Sequence, residues 1–281
     1  MAVALQLPAL TRAGASRVRQ LLRDKKVRST EGAFVLEGAK SCRDLIHQSP
    51  QAILSLIVSP GFLCVETEVD RQARARLPAS QFLCPDADFE RLTDVEMPQG
   101  IVAVVRQPRW DETHVFKQSR VLGLYGDRLQ DPANVGAIIR TAAALNLSGV
   151  WLSADSADHF SPKVVRATAG SILSLPVFHT WDWRAFSSYG CDIYSAVLDS
   201  ADQVPIRTIR TIPSRLMVAV GNEGAGLTPD IVKASRVRFS IPLAEGVESL
   251  NVAATAAISA FYFSGLRFDS DSGSRRSDYS A

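Results

Sequence analysis

At 281 residues the chain has room for two domains, and its 46% hydrophobic content is enough to bury real cores, which excludes a disordered protein. A formal net charge of +2 implies no partner by itself, and no apolar run approaches the roughly 18 residues that a transmembrane helix needs, so no membrane association is expected. Cys42, Cys64, Cys84 and Cys191 form no CxxC pair, and His47, His114, His159 and His179 are equally scattered; neither zinc nor a disulfide framework is indicated, and no metal is called for.

Although the global charge is small, residues 1–30 carry seven basic side chains against Asp24 alone. Residues 10–26 read as a basic amphipathic helix. Arg17, Arg19, Arg23, Lys25, Lys26 and Arg28 are candidates for contacts with a phosphate backbone, although on charge alone a solvated helix face is the preferred reading. An organelle transit peptide has a similar Arg-rich, acid-poor composition; the helix reading is preferred, so a cytoplasmic protein is expected, with organelle import as the open alternative. Strands are expected at 34–37, 53–58, 82–83 and 101–106, with helices at 40–47, 66–75 and 86–92. That alternation predicts a small α/β layer over residues 1–106. Residues 107–118 are polar, include Pro108, and read as a linker.

In the second half, 119–267, an apolar strand at 121–125 runs into a polar loop, and apolar spacing after Gly136 predicts a helix. Asp131, Pro132 and Asn134 suit a turn and helix cap. Further strands are expected at 149–152 and 193–197, with helices at 161–169, capped by Ser161, at 229–235, opened by Thr228 and Pro229, and at 249–263. An apolar strand from Leu216 enters the Gly-rich loop GNEGAGL, which holds Glu223. Another from Phe239 ends at Pro242, before a polar loop and the last helix. Three strand-to-loop junctions, polar at the same end, can build one pocket beyond the carboxyl ends of an open sheet. GNEGAGLT nearly fits a phosphate-binding loop, but Leu227 stands where its lysine should be, and the dinucleotide fingerprint GxGxxG is absent; cofactor binding therefore ranks ahead of an NTPase, and an NTPase ahead of a plain tight turn. The tail, 268–281, is polar and expected to be disordered.

NxGxxxR at Asn134, Gly136 and Arg140, GNEGxGL from Gly221 to Leu227, and IPxxxxxxSLNVxxA from Ile241 to Ala254 resemble, in that order, the three motifs of the SpoU or TrmH-type RNA ribose 2'-O-methyltransferases. FVLEGAKSCRDLI (34–46) and MPQGIVAVV (97–105) resemble the L30e-like substrate-binding domain that precedes the catalytic domain in some ribosomal RNA members. The resemblance implies an α/β fold in which a small L30e-like α/β domain precedes a C-terminal trefoil-knot (SPOUT) methyltransferase domain. It also implies S-adenosylmethionine as cofactor and a homodimer formed through the methyltransferase domain. Ribosomal RNA is the implied substrate, transfer RNA the runner-up, and a catalytically silent RNA-binding protein of the same fold the alternative from another class.

By the same resemblance Arg140 is the principal catalytic residue. A guanidinium whose pKa exceeds about 12 is a reluctant base, so it reads first as a cation that stabilises a developing alkoxide and holds the adjacent phosphate. Asn134 suits placing the ribose or orienting Arg140, and Glu223 suits pairing with a cation or holding the loop. The cofactor pocket falls on Gly221, Ile241 and Leu250, with Asn222, Pro242, Ser249 and Asn251 as neighbours.

Overall fold

Asp24 divides the basic N-terminal stretch into two helices instead of the single one expected. The first, Arg12–Arg23, starts where the Thr11 hydroxyl accepts the Gly14 amide, and Val18, Leu21 and Leu22 form its buried stripe. The second, Lys25–Glu31, starts where the Asp24 carboxylate accepts the amides of Lys26 and Val27, and ends at Gly32 in the left-handed conformation. The computed structural model describes residues 7–269 except 96, 180, 199 and 201, so the expected disordered tail lies outside the described residues from 270 onward.

The chain forms two compact units. The first holds residues up to 109 together with 158–174; the second holds 110–157 and everything from 175. In the first unit strands β1 (Ala33–Glu37), β2 (Ile53–Val58), β3 (Ser80–Leu83) and β4 (Ile101–Arg106) form a sheet of order β1-β4-β2-β3. Strand β4 pairs antiparallel with both β1 and β2, and β2 pairs parallel with β3. Every residue of β1 and all but the last of β4 are buried, as expected for strands covered on both faces. Helix Pro162–Thr168, which the sequence places beyond the linker, packs on β1 in this unit.

Two ion pairs tie that segment down. Arg28 donates from Nε and Nη2 to Asp158 Oδ2, at 3.1 and 2.6 Å, and its Nη1 donates to the carbonyls of Leu21 and Leu22. Its side chain is only 5% exposed. Arg28 is therefore withdrawn from the expected set of RNA contacts: a guanidinium committed to four bonds in the interior has no face left for a phosphate. Arg166 Nη1 meets Glu37 Oε2 at 2.7 Å. Burial raises the Glu37 carboxyl above its ordinary pKa despite the attraction of Arg166.

The second unit is built on strands β5 (Val121–Gly126), β6 (Gly149–Leu152), β7 (Val177–His179), β8 (Asp192–Ala196), β9 (Gln203–Pro205), β10 (Thr211–Ile212), β11 (Arg215–Val220), β12 (Val237–Ser240) and β13 (Arg267–Phe268). Seven of them form a parallel sheet of order β7-β6-β5-β11-β8-β12-β9, and β10 pairs with β13. Strand β11 thus enters between β5 and β8 although it follows both in sequence. Gly123 on β5 is required by packing, because a Cβ there would collide with the Trp151 ring of β6. Trp151 anchors an aromatic cluster with Phe116, Phe178, Trp181 and Phe186. Among the described residues no helix is long and apolar enough to cross a membrane, and no group of three or more His, Cys, Asp or Glu is placed to hold a metal.

Candidate active site

Three loops leave the carboxyl ends of β5, β11 and β12, where open α/β sheets place ligands. The first turns at Asp127, whose buried carboxylate accepts both the amide and the hydroxyl of Thr228, at 2.9 and 2.8 Å. It then enters helix Pro132–Ala144, capped by the Asp131 carboxylate on the Ala133 amide, with Pro132 in the first turn. The helix therefore begins four residues before the apolar spacing suggested, and Asn134 lies buried in its first turn.

The second loop folds back on itself between Asn222 and Gly226, whose backbones exchange hydrogen bonds of 3.0 and 2.9 Å. A Cβ on Gly221 would run into the backbone of Gly226 and Leu227, so only glycine allows this closure. Asn222 Oδ1 accepts the amides of Gly224 and Ala225, and its Nδ2 donates to the Arg128 carbonyl at 2.9 Å. The third loop ends at Asn251, which caps helix Val252–Ser264 by accepting the amides of Ala253 and Ala254. The helix thus starts three residues after the expected 249.

The three loops are joined through side chains. Glu223 Oε1 accepts from Asn134 Nδ2 at 3.0 Å and from the Asp131 amide at 3.2 Å; its Oε2 accepts the Gln130 amide at 3.3 Å. Asn251 Nδ2 donates to Asn134 Oδ1 at 2.9 Å. Chemistry fixes the direction of this chain. An ionised carboxylate only accepts, so Asn134 must turn its NH₂ toward Glu223, which leaves its oxygen for the NH₂ of Asn251. Burial alone would raise the Glu223 pKa; the bonds from Asn134 and the backbone amides of Asp131 and Gln130 outweigh it and hold the carboxyl below its ordinary value. Glu223 is therefore ionised at neutral pH and fully engaged in tying the loops.

Beside the cluster lies a cavity of about 390 Å³ lined by Gly221, Asn222, Glu223, Ile241, Ser249, Leu250 and Asn251, with Val220, Phe239 and Leu243 adding to the apolar wall. Its only charged lining side chains among the described residues are the carboxylates Glu223 and Glu248. Such a chamber suits a nucleoside that carries positive charge. It has no cation to hold a polyphosphate. Pro242 and Arg140 do not line it. Arg140, six residues after Asn134 and thus about 9 Å further along the helix axis, is exposed and makes no hydrogen bond or ion pair among the described residues. Sequence reasoning missed the Asp127–Thr228 bond; the buried acid directly after a buried strand was the available signal.

Residues 122–261 match the SpoU rRNA Methylase family, and residues 16–103 match the MRM3-like substrate binding domain. The chain is 30% identical to the Bacillus subtilis 23S rRNA (guanosine(2553)-2'-O)-methyltransferase RlmP, over 87% of this chain and 93% of that protein. It is 34% identical to the 23S rRNA (uridine(2479)-2'-O)-methyltransferase of Streptomyces viridochromogenes, over 64% of each. Among solved structures it is similar to the AdoMet-bound rRNA methyltransferase from Sinorhizobium meliloti, with a TM-score of 0.75 and 26% identity over 91% of this chain and 95% of that one. It is also similar to AviRb from Streptomyces viridochromogenes in complex with AdoMet, with a TM-score of 0.77 and 25% identity over 90% and 97%.

Proposed function

The chain belongs to the SpoU rRNA methylase family and is an S-adenosylmethionine-dependent RNA ribose 2'-O-methyltransferase; from that premise we propose how its own residues carry the reaction on ribosomal RNA. The supporting observation is the Glu223–Asn134–Asn251 chain, which joins all three motif loops at the rim of one cation-free cavity. Ile241 and Leu250 supply the apolar wall for the adenosine, Gly221 lets the hairpin close over it, and Asn222, Ser249 and Asn251 offer polar edges. S-adenosylmethionine, when bound there, supplies an electrophilic methyl carbon. The protein's task is to align the acceptor hydroxyl behind that carbon, and positioning accounts for much of such an acceleration.

Arg140 is the cation on the acceptor side. No carboxylate neutralises it among the described residues, so its planar fork is available to a phosphate and to the oxygen on which negative charge develops. The proton leaves to solvent or to a phosphate oxygen. Asn134 and Glu223 set the loop that presents the helix bearing Arg140. The exposed Arg23, Lys25 and Lys26, with Arg17 and Arg19, supply phosphate contacts from the first unit. Calorimetry on the full chain should register S-adenosylmethionine or its demethylated product and no ATP. Tight ATP binding with hydrolysis would replace this reading by a nucleotidase.

The methyltransferase unit is proposed to pair as a homodimer and to thread its C-terminal part as a trefoil knot, a path that the late insertion of β11 between β5 and β8 supports. For the dimer, helix Val252–Ser264 is apolar on all sides, yet Ile258 and Phe261 are 41% and 72% exposed. Such a helix asks for cover. Light scattering should give twice the chain mass at micromolar concentration, and Phe261→Glu should shift it toward the monomer; a wild-type monomer would contradict the proposal.

A further inference from the structure

Arg128 holds a left-handed backbone, φ 56°, a conformation that glycine adopts freely and an arginine does not. Its surroundings enforce it. The Arg128 amide donates to Ser153 Oγ at 2.7 Å, and its carbonyl accepts Asn222 Nδ2 at 2.9 Å and Gln130 Nε2 at 3.4 Å. Its side chain bridges two further groups: Nη2 donates to the Gly226 carbonyl at 3.0 Å, and Nε to Asp127 Oδ2 at 3.3 Å. That same carboxylate oxygen holds Thr228, so Arg128 supplies the counter-charge for a buried acid that already ties two motif loops together. The Gly226 carbonyl is in turn the acceptor that closes the hairpin on the Asn222 amide. One residue therefore touches the loop that carries Asp131 and Asn134, the turn at Ser153, and the hairpin that walls the cavity.

We propose that Arg128 is a positioning residue for methyl transfer: it latches the Asn222–Gly226 hairpin to the acceptor-side loop, so that the cofactor wall and the start of the helix bearing Arg140 are set as one piece. A glycine would relieve the backbone and serve a plain turn better. Against that conformational cost the side chain adds a bond from Nη2 to the hairpin at Gly226, while its Nε steadies the Asp127 carboxylate that holds Thr228. The proposal rests on the cavity being the S-adenosylmethionine site.

The test is Arg128→Gly in the full-length protein, read by thermal unfolding, by calorimetry with S-adenosylmethionine, and by separate KM values for cofactor and RNA. Relief of the left-handed strain should leave the melting temperature near that of the wild type. Loss of charge-assisted bonds should weaken cofactor affinity roughly tenfold or more, and the KM for RNA should stay within about twofold. Arg128→Lys keeps a charge beside Asp127 but lacks the fork that also reaches Gly226, so its cofactor affinity should lie between the two; it answers the same question if the glycine variant does not fold. Wild-type cofactor affinity in either folded variant would overturn the latch, as would a loss confined to RNA affinity. Failure of the cavity assignment is a separate result, because the wild-type protein itself would then not bind S-adenosylmethionine.

Discussion

Arg140→Ala is expected to cut methyl transfer by a factor of roughly 10²–10³ or more, the scale for removing one electrostatic stabiliser of a developing anion, while cofactor affinity stays within a few fold. The asymmetry follows from where the residue lies. Arg140 is exposed, has no partner among the described residues, and does not line the cavity, so its removal opens no void and orphans no buried group. Stability should change by no more than about 0.5 kcal/mol, as for an ordinary surface substitution. Arg140→Lys should recover little, because an ammonium cannot match two phosphate or alkoxide oxygens in one plane. Single-turnover methylation with a saturating cofactor is the measurement. Near-normal turnover in the alanine variant would remove Arg140 from the mechanism.

The second large effect concerns stability. Arg28→Ala should destabilise the first unit by about 2–4 kcal/mol, toward the lower end of the range for breaking a buried pair, because it leaves the half-buried Asp158 carboxylate without Arg28 and the carbonyls of Leu21 and Leu22 without their donor. That is a substantial part of the roughly 5–15 kcal/mol that holds a typical domain folded. The pH dependence identifies the cause. Burial raises the Asp158 pKa, but the hydrogen bond and charge of Arg28 outweigh it and hold it below the ordinary carboxylate value. A depressed folded pKa contributes stability that is present above the unfolded value and is lost as pH falls through the folded one. Wild-type protein should therefore lose this contribution below about pH 4, whereas in the variant the unpaired acid is costly at neutral pH and less so when protonated. Urea unfolding at pH 7 and about pH 3 would show the gap between the two proteins narrowing with acid; a gap of equal size at both would assign the loss to packing alone. The same attachment predicts that a fragment starting near residue 115 is sticky, since Val164, Val165 and Ile172 lose the unit in which they are buried.

Much of the second unit was legible because each motif sits at a strand end. The apolar runs of β5, β6 and β11 could be read from composition, and Asp131 with Pro132 announces its helix by local chemistry alone. What local chemistry cannot carry is the choice among distant partners. Arg28 lies in a basic run most of whose other members are exposed, and Asp158, 130 positions away, turns it inward together with the carbonyls of Leu21 and Leu22. Ser161 and Pro162 mark a helix start correctly, yet nothing near them says that the helix packs on β1. The short β7 and β9, three residues each, are too brief for any period to register. At the site, the residue types at Asn134, Glu223 and Asn251 were visible, but their bonds span 89 and 117 positions and exist only once the sheet has brought three strand ends together.

The place of β11 bears on the order of synthesis. The ribosome delivers β5, and later β8, before the strand that must lie between them: roughly 90 residues separate the end of β5 from the end of β11, and about 24 the end of β8 from it. At about 5–20 residues per second, the edge of β5 therefore waits on the order of 5–20 s for its neighbour, and for roughly the last 1–5 s of that, once β8 has been made, two strand edges face the missing strand. During that interval the motif loop after β5 has no Glu223 to hold it. Translation must run past Val220 before the centre of the sheet can close, which makes this stretch of elongation the period in which the growing polypeptide most needs a chaperone's cover.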